Sequence, residues 1–146
     1  MNPTHDELVA VAHAHAAAEA IGDLDAVFET LEADPVYEFQ PVGLRFRGMD
    51  ATRRYYEHFF STFGGCVAGS ALRTESVAPD GVVQEYTIWT NTGTDGGLER
   101  HEVVGILTFG AERLSGERVY ASERLLRLML GPVYEECTPI EAGEPS

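Results

Sequence analysis

The chain has 146 residues, a length that fits a single folded domain. Hydrophobic residues make up 44% of it and charged residues 23%, which is ordinary for a globular protein and excludes disorder along the whole length. Asp and Glu total 24 against 10 Lys and Arg, so the formal net charge is -14 at pH 7. A surface this acidic repels phosphate backbones and anionic lipid headgroups, so we expect neither a nucleic-acid nor a membrane partner.

The first helix is predicted to begin at Thr4, which has capping-box spacing with Glu7, and to end at Gly22. Asp23 can cap a short second helix. We expect Pro35 to end that helix, because proline disfavours a helical residue before it.

A hairpin is predicted over residues 36–47, where aromatic and aliphatic residues alternate with polar ones on both sides of a Pro/Gly turn. Asp50 can cap a third helix that runs through Phe63. Four strands then follow, at residues 69–78, 82–92, 100–109 and 114–124. Three helices followed by an antiparallel meander predict an α+β fold, with the helices packed on one face of the sheet.

The whole of this pattern fits one domain over residues 1–130, followed by an acidic, proline-containing tail over residues 131–146 that we expect to be mobile. In the strand at 100–109, Val104 and Ile106 point away from the face that carries Val103. A strand that is apolar on both faces needs cover on both, and the helices can cover only one. We therefore expect a homodimer that buries the second face.

The two cysteines, Cys66 and Cys137, do not make a disulfide framework or a zinc-ligand pattern. The N-terminus lacks the basic and apolar regions of a secretion signal, and no stretch approaches the roughly 20 apolar residues of a membrane span. The pattern indicates reduced thiols in a cytoplasmic protein, without a metal site or a cofactor.

Three stretches, taken in order and spacing, resemble the nuclear transport factor 2-like superfamily and, within it, the SnoaL-like polyketide cyclase branch. The stretches are residues 21–26 (IGDLDA) with 33–37 (ADPVY), residues 43–48 (GLRFRG) leading into 55–56 (YY), and residues 117–120 (ERVY). The resemblance spans about residues 8–130. It implies a curved antiparallel sheet wrapped as a cone around helices, an apolar pocket at the open end, and in many members a dimer.

In many SnoaL-like proteins the last-strand motif reads Glu-Arg-x-Tyr-x-Asp, and this Asp is the acid/base of the pocket. Here Ser122 stands in the Asp place, and a serine hydroxyl cannot act as a general base near neutral pH without a partner. Two alternatives follow. The protein is an enzyme with a substitute acid/base, or it is a non-catalytic module for small-ligand binding or dimerisation.

The enzymatic alternative is cyclisation, isomerisation or dehydration of a small apolar carbonyl compound. Such chemistry needs a tuned acid/base and a hydrogen-bond donor to the developing enolate. The resemblance implies that Tyr120 and Ser122 face the pocket, with Tyr120 as the donor. The candidate bases are His15, on the apolar stripe of the first helix, and His101 or Glu85 in place of the missing Asp.

Each candidate also has a purely structural interpretation. Tyr120 can be core packing with a satisfied hydroxyl, His15 can bond a backbone carbonyl, and Glu85 can lie on the solvated outer face. Strand alternation places Glu85 and Trp89 on one face, whereas the reverse facing would put Tyr86, Ile88 and Thr90 in the pocket. Hydrolysis of an epoxide ranks last, because Glu85 is the one carboxylate that we can assign to such a site.

The substrate-binding surface is predicted from aromatic residues on the pocket-facing elements, together with the serine of the last strand. These residues are Tyr37, Phe39, Tyr55, Tyr56, Phe59, Trp89 and Ser122.

Overall fold

The computed structural model describes residues 2–141. Its helices are α1 (His5–Ile21), α2 (Leu24–Glu29), α3 (Met49–His58), α4 (Glu123–Leu130) and α5 (Val133–Glu136). Its strands are β1 (Leu31–Gln40), β2 (Leu44–Arg47), β3 (Val67–Ala78), β4 (Gly81–Thr90), β5 (Glu99–Phe109), β6 (Leu114–Tyr120) and β7 (Thr138–Pro139). None of the helices in this range is long and apolar enough to cross a membrane.

The limits predicted for the first helix are confirmed. The Thr4 side chain accepts a hydrogen bond from the Glu7 backbone at 3.2 Å, and the Glu7 carboxylate accepts one from the Thr4 backbone at 2.9 Å. Gly22 ends α1 in the left-handed region with φ of 70°, a conformation that glycine adopts without steric cost.

The predicted end of the second helix is wrong. Asp23 caps α2 as expected, but the helix ends at Glu29 and Leu31 already begins β1. Pro35 lies inside this strand, where the pairing with β6 is irregular. A proline fits such a place because its missing N–H interrupts no regular ladder bond.

The third helix also begins differently from the prediction. Its N-cap is Gly48, and Asp50 lies in the first turn rather than at the cap. Beyond His58 the helical path continues as a π-helical turn over Phe59–Phe63 and a 3-10 turn over Gly64–Cys66. This extension turns a run of phenylalanines toward the helix-covered face of the sheet.

The sheet is curved and unclosed, in the order β3-β4-β5-β6-β1-β2-β7, which confirms the α+β fold. The predicted antiparallel meander is confirmed for β3–β6, whereas β1, which lies outside the meander, pairs in parallel with β6. The reason is that the N-terminal hairpin joins the edge of the meander beside its last strand.

The last long strand is shorter than predicted. It ends at Tyr120, and Ser122 caps α4 by accepting a hydrogen bond from the Leu125 backbone at 3.1 Å. Of the segment assigned to a tail, residues 131–141 include α5, with Val133 buried, and β7, which pairs with β2. Residues 142–146 lie outside the described residues.

Candidate active site

A cavity of about 590 Å³ lies between the helices and the sheet, within the size range of small-ligand sites. It is bounded by α1, the end of α3 with its π-helical turn, the strands β3–β6, and α4. Its wall is mostly apolar and rich in rings: Tyr55, Phe59, Phe60, Phe63 and Tyr86. The polar side chains in the wall are His15, Glu19, Ser70, Gln84 and Glu117.

Glu117 of β6 places a carboxyl group in the deep wall of this cavity. It pairs in register with Tyr37 of β1 and Leu107 of β5, and its exposed fraction is only 7%. Gly105 of β5 leaves room for it, because a Cβ there would lie 3.1 Å from the Glu117 Oε1 atom. Within residues 2–141, no group hydrogen bonds to this carboxyl.

Burial raises the pKa of Glu117 well above its usual value of 4.5, since a charged carboxylate loses its hydration there, and the negative charge of Glu19 raises it further. The shift favours the neutral carboxylic acid over the carboxylate. In that form it can donate a hydrogen bond or a proton.

His15 and Glu19 are four residues apart on α1 and so share one helix face. His15 is 1% exposed, and its Nε2 atom lies 2.6 Å from the Glu19 Oε1 atom. Its Nδ1 atom lies 2.8 Å from the hydroxyl of Thr30. The histidine is thus held at both nitrogens, and its partner carboxylate reaches the cavity.

Tyr56 completes the cluster from α3. Its hydroxyl donates to the Glu19 Oε1 atom at 2.8 Å and lies 3.1 Å from His15 Nε2. It also lies 2.7 Å from the hydroxyl of Tyr37. These bonds fix one oxygen of Glu19, whereas its Oε2 atom has no hydrogen-bond partner among the described residues.

The ligand atoms of His15, Glu19 and Glu117 all lie within 4.8 Å of one another. One imidazole and two carboxylates are ligand types that a divalent cation accepts. In this structure Tyr56 donates to Oε1 and lies 3.1 Å from Nε2, and Nε2 lies 2.6 Å from Oε1. The geometry is that of a hydrogen-bonded acid/base cluster at the edge of an apolar cavity.

Three of the predicted site residues line the cavity: His15, Tyr55 and Phe59. Of the two orientations considered for β4, the structure has the one in which Tyr86 and Ile88 face the cavity.

Tyr120 and Ser122 do not reach the cavity. Strand alternation turns Glu117 and Val119 inward, so Tyr120 points to the outer face and is 42% exposed. Ser122 caps α4 instead of continuing the strand. The predicted facing of the last strand is therefore wrong, and the two residues are not placed to contact a ligand in this cavity.

Glu85 and Trp89 lie on the outer face of β4, away from the cavity lining. Glu85 is exposed and accepts a hydrogen bond from Thr74 at 3.3 Å. His101 is buried outside the cavity, with Nε2 2.9 Å from the Thr90 hydroxyl and 3.5 Å from Glu99. Its contacts are those of a structural histidine between β4 and β5.

Tyr37, Phe39 and Tyr56 are fully buried behind the cavity wall. Tyr37 stacks on Phe46 with ring centroids 5.1 Å apart, and edge or tilted contacts link the remaining rings. They form the core that supports the cavity, and only the Tyr56 hydroxyl reaches its polar cluster.

The sequence analysis missed Glu117 and Glu19 as site residues. Both carried a usable signal: Glu117 alternates with the apolar Val119, and Glu19 follows His15 at helical spacing.

The model of one protein family, described as the SnoaL-like domain, matches residues 12–116. A search among curated proteins found no match.

Solved structures show the same fold at low identity. A nuclear transport factor 2-like protein of unknown function from Burkholderia xenovorans is 21% identical, covers 80% of this chain and 84% of its own, and gives a TM-score of 0.61. A putative isomerase from Bacillus subtilis is 17% identical over 88% and 96% of the two chains, with a TM-score of 0.63. A de novo designed protein with a curved β-sheet is 12% identical over 92% and 99%, with a TM-score of 0.68. The family match and this shared fold together show that the chain belongs to the SnoaL-like domain family of the nuclear transport factor 2-like superfamily.

Proposed function

We propose that the protein is an enzyme that transfers a proton within a small apolar carbonyl compound, as in isomerisation, dehydration or cyclisation. The observation that carries the proposal is the pair of carboxyl groups in one apolar cavity, held in different environments. Glu117 is buried without a partner, whereas Glu19 is hydrogen bonded to Tyr56 and contacts His15. Two such groups whose environments separate their protonation states can divide the roles of acid and base.

Glu117 is the acid of this site. As a neutral carboxylic acid it can donate a hydrogen bond to the carbonyl oxygen of a bound compound. The bond strengthens as negative charge develops on that oxygen in the enolate-like transition state. The low-dielectric surroundings that keep Glu117 protonated also increase the value of this bond.

Glu19 is the base. Its Oε1 atom is held by Tyr56 and His15, which leaves Oε2 to take a proton from the carbon next to the carbonyl. The electron pair of the broken C–H bond then moves into the enolate. Return of the proton from Glu19 to another carbon gives isomerisation, and its delivery to a departing hydroxyl gives dehydration. No step requires a cofactor.

Hydrogen–deuterium exchange tests the proposal without knowledge of the natural substrate. We expect the protein to speed loss of the NMR signals of the α-protons of 2-tetralone, a two-ring ketone, in D₂O. The matched control is Glu85→Gln, which removes an exposed carboxylate on the outer face and is expected to keep the wild-type rate. Binding of 2-tetralone with no exchange above the buffer rate would contradict the enzymatic proposal and favour a ligand-binding module.

The sequence favoured a ligand-binding module because Ser122 stands in the place of the family's acid/base Asp. That argument no longer applies, since Ser122 lies outside the cavity and does not affect its chemistry.

We also propose a homodimer formed through the outer face of the sheet. Val83 and Ile106 are register partners there, as are Val104 and Tyr120, and all four are at least partly exposed. A second copy is the occupant that suits this face, since the same apolar patch meets itself across a two-fold axis.

Ile106→Arg is expected to convert the dimer to a monomer, because it would place two charges in the centre of an apolar contact. Sedimentation velocity at micromolar concentration is the measurement. Glu102→Arg, on the polar part of the same face, is the control and should leave the dimer intact. A wild-type protein that sediments as a monomer would refute the assembly.

The two cysteines support a reducing compartment such as the cytoplasm, since both Cys66 and Cys137 are free thiols.

A further inference from the structure

Gln84 brings an amide group to the cavity that the proposed acid/base chemistry does not use. It lies on β4 and alternates with Tyr86 and Ile88, which line the same cavity. Its Nε2 atom donates a hydrogen bond to the Glu75 Oε1 atom of β3 at 2.9 Å. Within residues 2–141, no group donates to the other end of this amide, the Gln84 Oε1 atom.

Glu75 determines which end of the amide faces the cavity. Hydrogen bonds with Gln84 and with His13 of α1 lower the pKa of the Glu75 carboxyl, so near neutral pH it is a carboxylate and can only accept. The end of the amide that faces Glu75 must therefore be the NH2 group, and the oxygen is turned away from β3. No polar side-chain atom in the described part of the chain is both buried and unpaired, so this oxygen reaches accessible space, which on the inner face of β4 is the cavity.

Gln84 and the acid Glu117 flank the same gap in the sheet. Gln84 and Gly105 are register partners on β4 and β5, so their side-chain positions are neighbours on one face. A Cβ atom on Gly105 would lie 3.1 Å from the Glu117 Oε1 atom and 3.6 Å from the hydroxyl of Tyr86. Gly105 has no side chain, so a small molecule seated over it can meet the oxygen of Gln84 and the carboxyl group of Glu117 at the same time.

We propose that Gln84 is a substrate-binding residue that accepts a hydrogen bond from a hydroxyl group of the bound compound. The substrate class is then a carbonyl compound that is apolar except for one hydroxyl, with its carbonyl oxygen at Glu117 and its hydroxyl at Gln84. The position of the carbonyl rests on the proposed function. An ether at the place of the hydroxyl would set two acceptors against each other, and both would lose water without gaining a bond. The site therefore selects the hydroxyl over an ether or a bare ring position.

Affinities of matched ketones test this subsite without any need for turnover. The probes are 2-tetralone, its isomers with one hydroxyl on the aromatic ring, and the methyl ethers of those isomers, with dissociation constants from NMR titration. We expect the hydroxy isomer that reaches Gln84 to bind the wild-type protein about five- to tenfold more tightly than 2-tetralone, the usual value of one hydrogen bond. Its methyl ether is expected to lose this advantage, because it has no hydrogen to donate.

Gln84→Met keeps the length of the side chain and removes the acceptor. We expect the advantage of the hydroxy isomer over 2-tetralone to disappear in this variant. Ser70→Ala is the matched control, because it removes another neutral polar group from the cavity wall, on the exposed strand β3. The advantage of the hydroxy isomer is expected to persist in Ser70→Ala.

Three results would overturn the inference: no hydroxy isomer that binds more tightly than 2-tetralone, a methyl ether that binds as tightly as its hydroxy isomer, or an advantage that survives in Gln84→Met. The wild-type affinities alone decide the preference for a hydroxyl if Gln84→Met does not fold. Failure of the proposed function is distinguishable. A preference for the hydroxyl without α-proton exchange would refute the catalytic role and leave the subsite intact, whereas exchange without the preference would refute only the subsite.

Discussion

At pH 8, Glu117→Gln is expected to have a larger free energy of unfolding than the wild-type protein. This difference in stability is expected to shrink as the pH falls toward 4.5. Glutamine has the shape of the protonated acid, which burial favours in the folded protein, but it cannot ionise. The variant therefore removes the cost of keeping one proton on a buried carboxyl.

The direction of this pH dependence follows from the difference in proton binding between the folded and the unfolded protein. The pKa of Glu117 is raised in the folded protein, so its contribution to stability is fully present below the unfolded value of 4.5. As the pH rises, the unfolded chain releases the proton while the folded chain keeps it, and stability falls by up to about 1.4 kcal/mol per pH unit. The loss stops once the pH exceeds the folded pKa of Glu117.

Urea unfolding between pH 5 and pH 8 measures this effect. Glu99 does not interfere in that window, since hydrogen bonds from Arg124 and Thr92 lower its pKa to about 2 and its contribution is lost only at acidic pH. Glu29→Gln is the matched control, because it removes an exposed carboxylate at the end of α2, away from the outer face of the sheet. Parallel pH profiles for Glu117→Gln and wild type would show that Glu117 ionises normally, and the acid role would fail with it.

Glu19→Gln is expected to lower ketone exchange by about 10²–10⁴-fold, the usual effect of removing a positioned general base. The amide cannot take a proton from carbon, although it can still accept the hydrogen bond from Tyr56. We expect binding of 2-tetralone to change little, because most of the cavity wall is apolar.

The control separates loss of the base from loss of the fold. A melting temperature close to wild type, with intact ketone binding measured by fluorescence or NMR, would assign the lost rate to chemistry. Exchange that survives in Glu19→Gln but disappears in His15→Gln would contradict the assignment and make His15 the base.

Local elements of the fold were predictable because their causes are local. The capping box of Thr4 with Glu7 and the left-handed Gly22 act within one turn of the chain. The hairpin turn at 41–43 and the alternation along the long strands depend likewise on near neighbours.

Predictions failed where a distant partner decided the outcome. The segment around Pro35 became part of a strand because β6 pairs with it on both sides, at Leu31 and again from Val36 to Gln40. Residues 121–124 left the sheet because Ser122 caps a helix whose leucines are buried in the core.

The site shows the same division. The amino-acid pattern alone was enough to predict an α+β domain, the buried stripe of α1 that carries His15, and the apolar aromatic face of α3. The carboxylates of the site emerge only in the folded chain, because β6 brings Glu117 against α1, about a hundred residues away along the sequence. The raised pKa of Glu117 and the hydrogen bond from Tyr56 to Glu19 arise from burial and from contacts between elements, and neither property exists in an isolated segment.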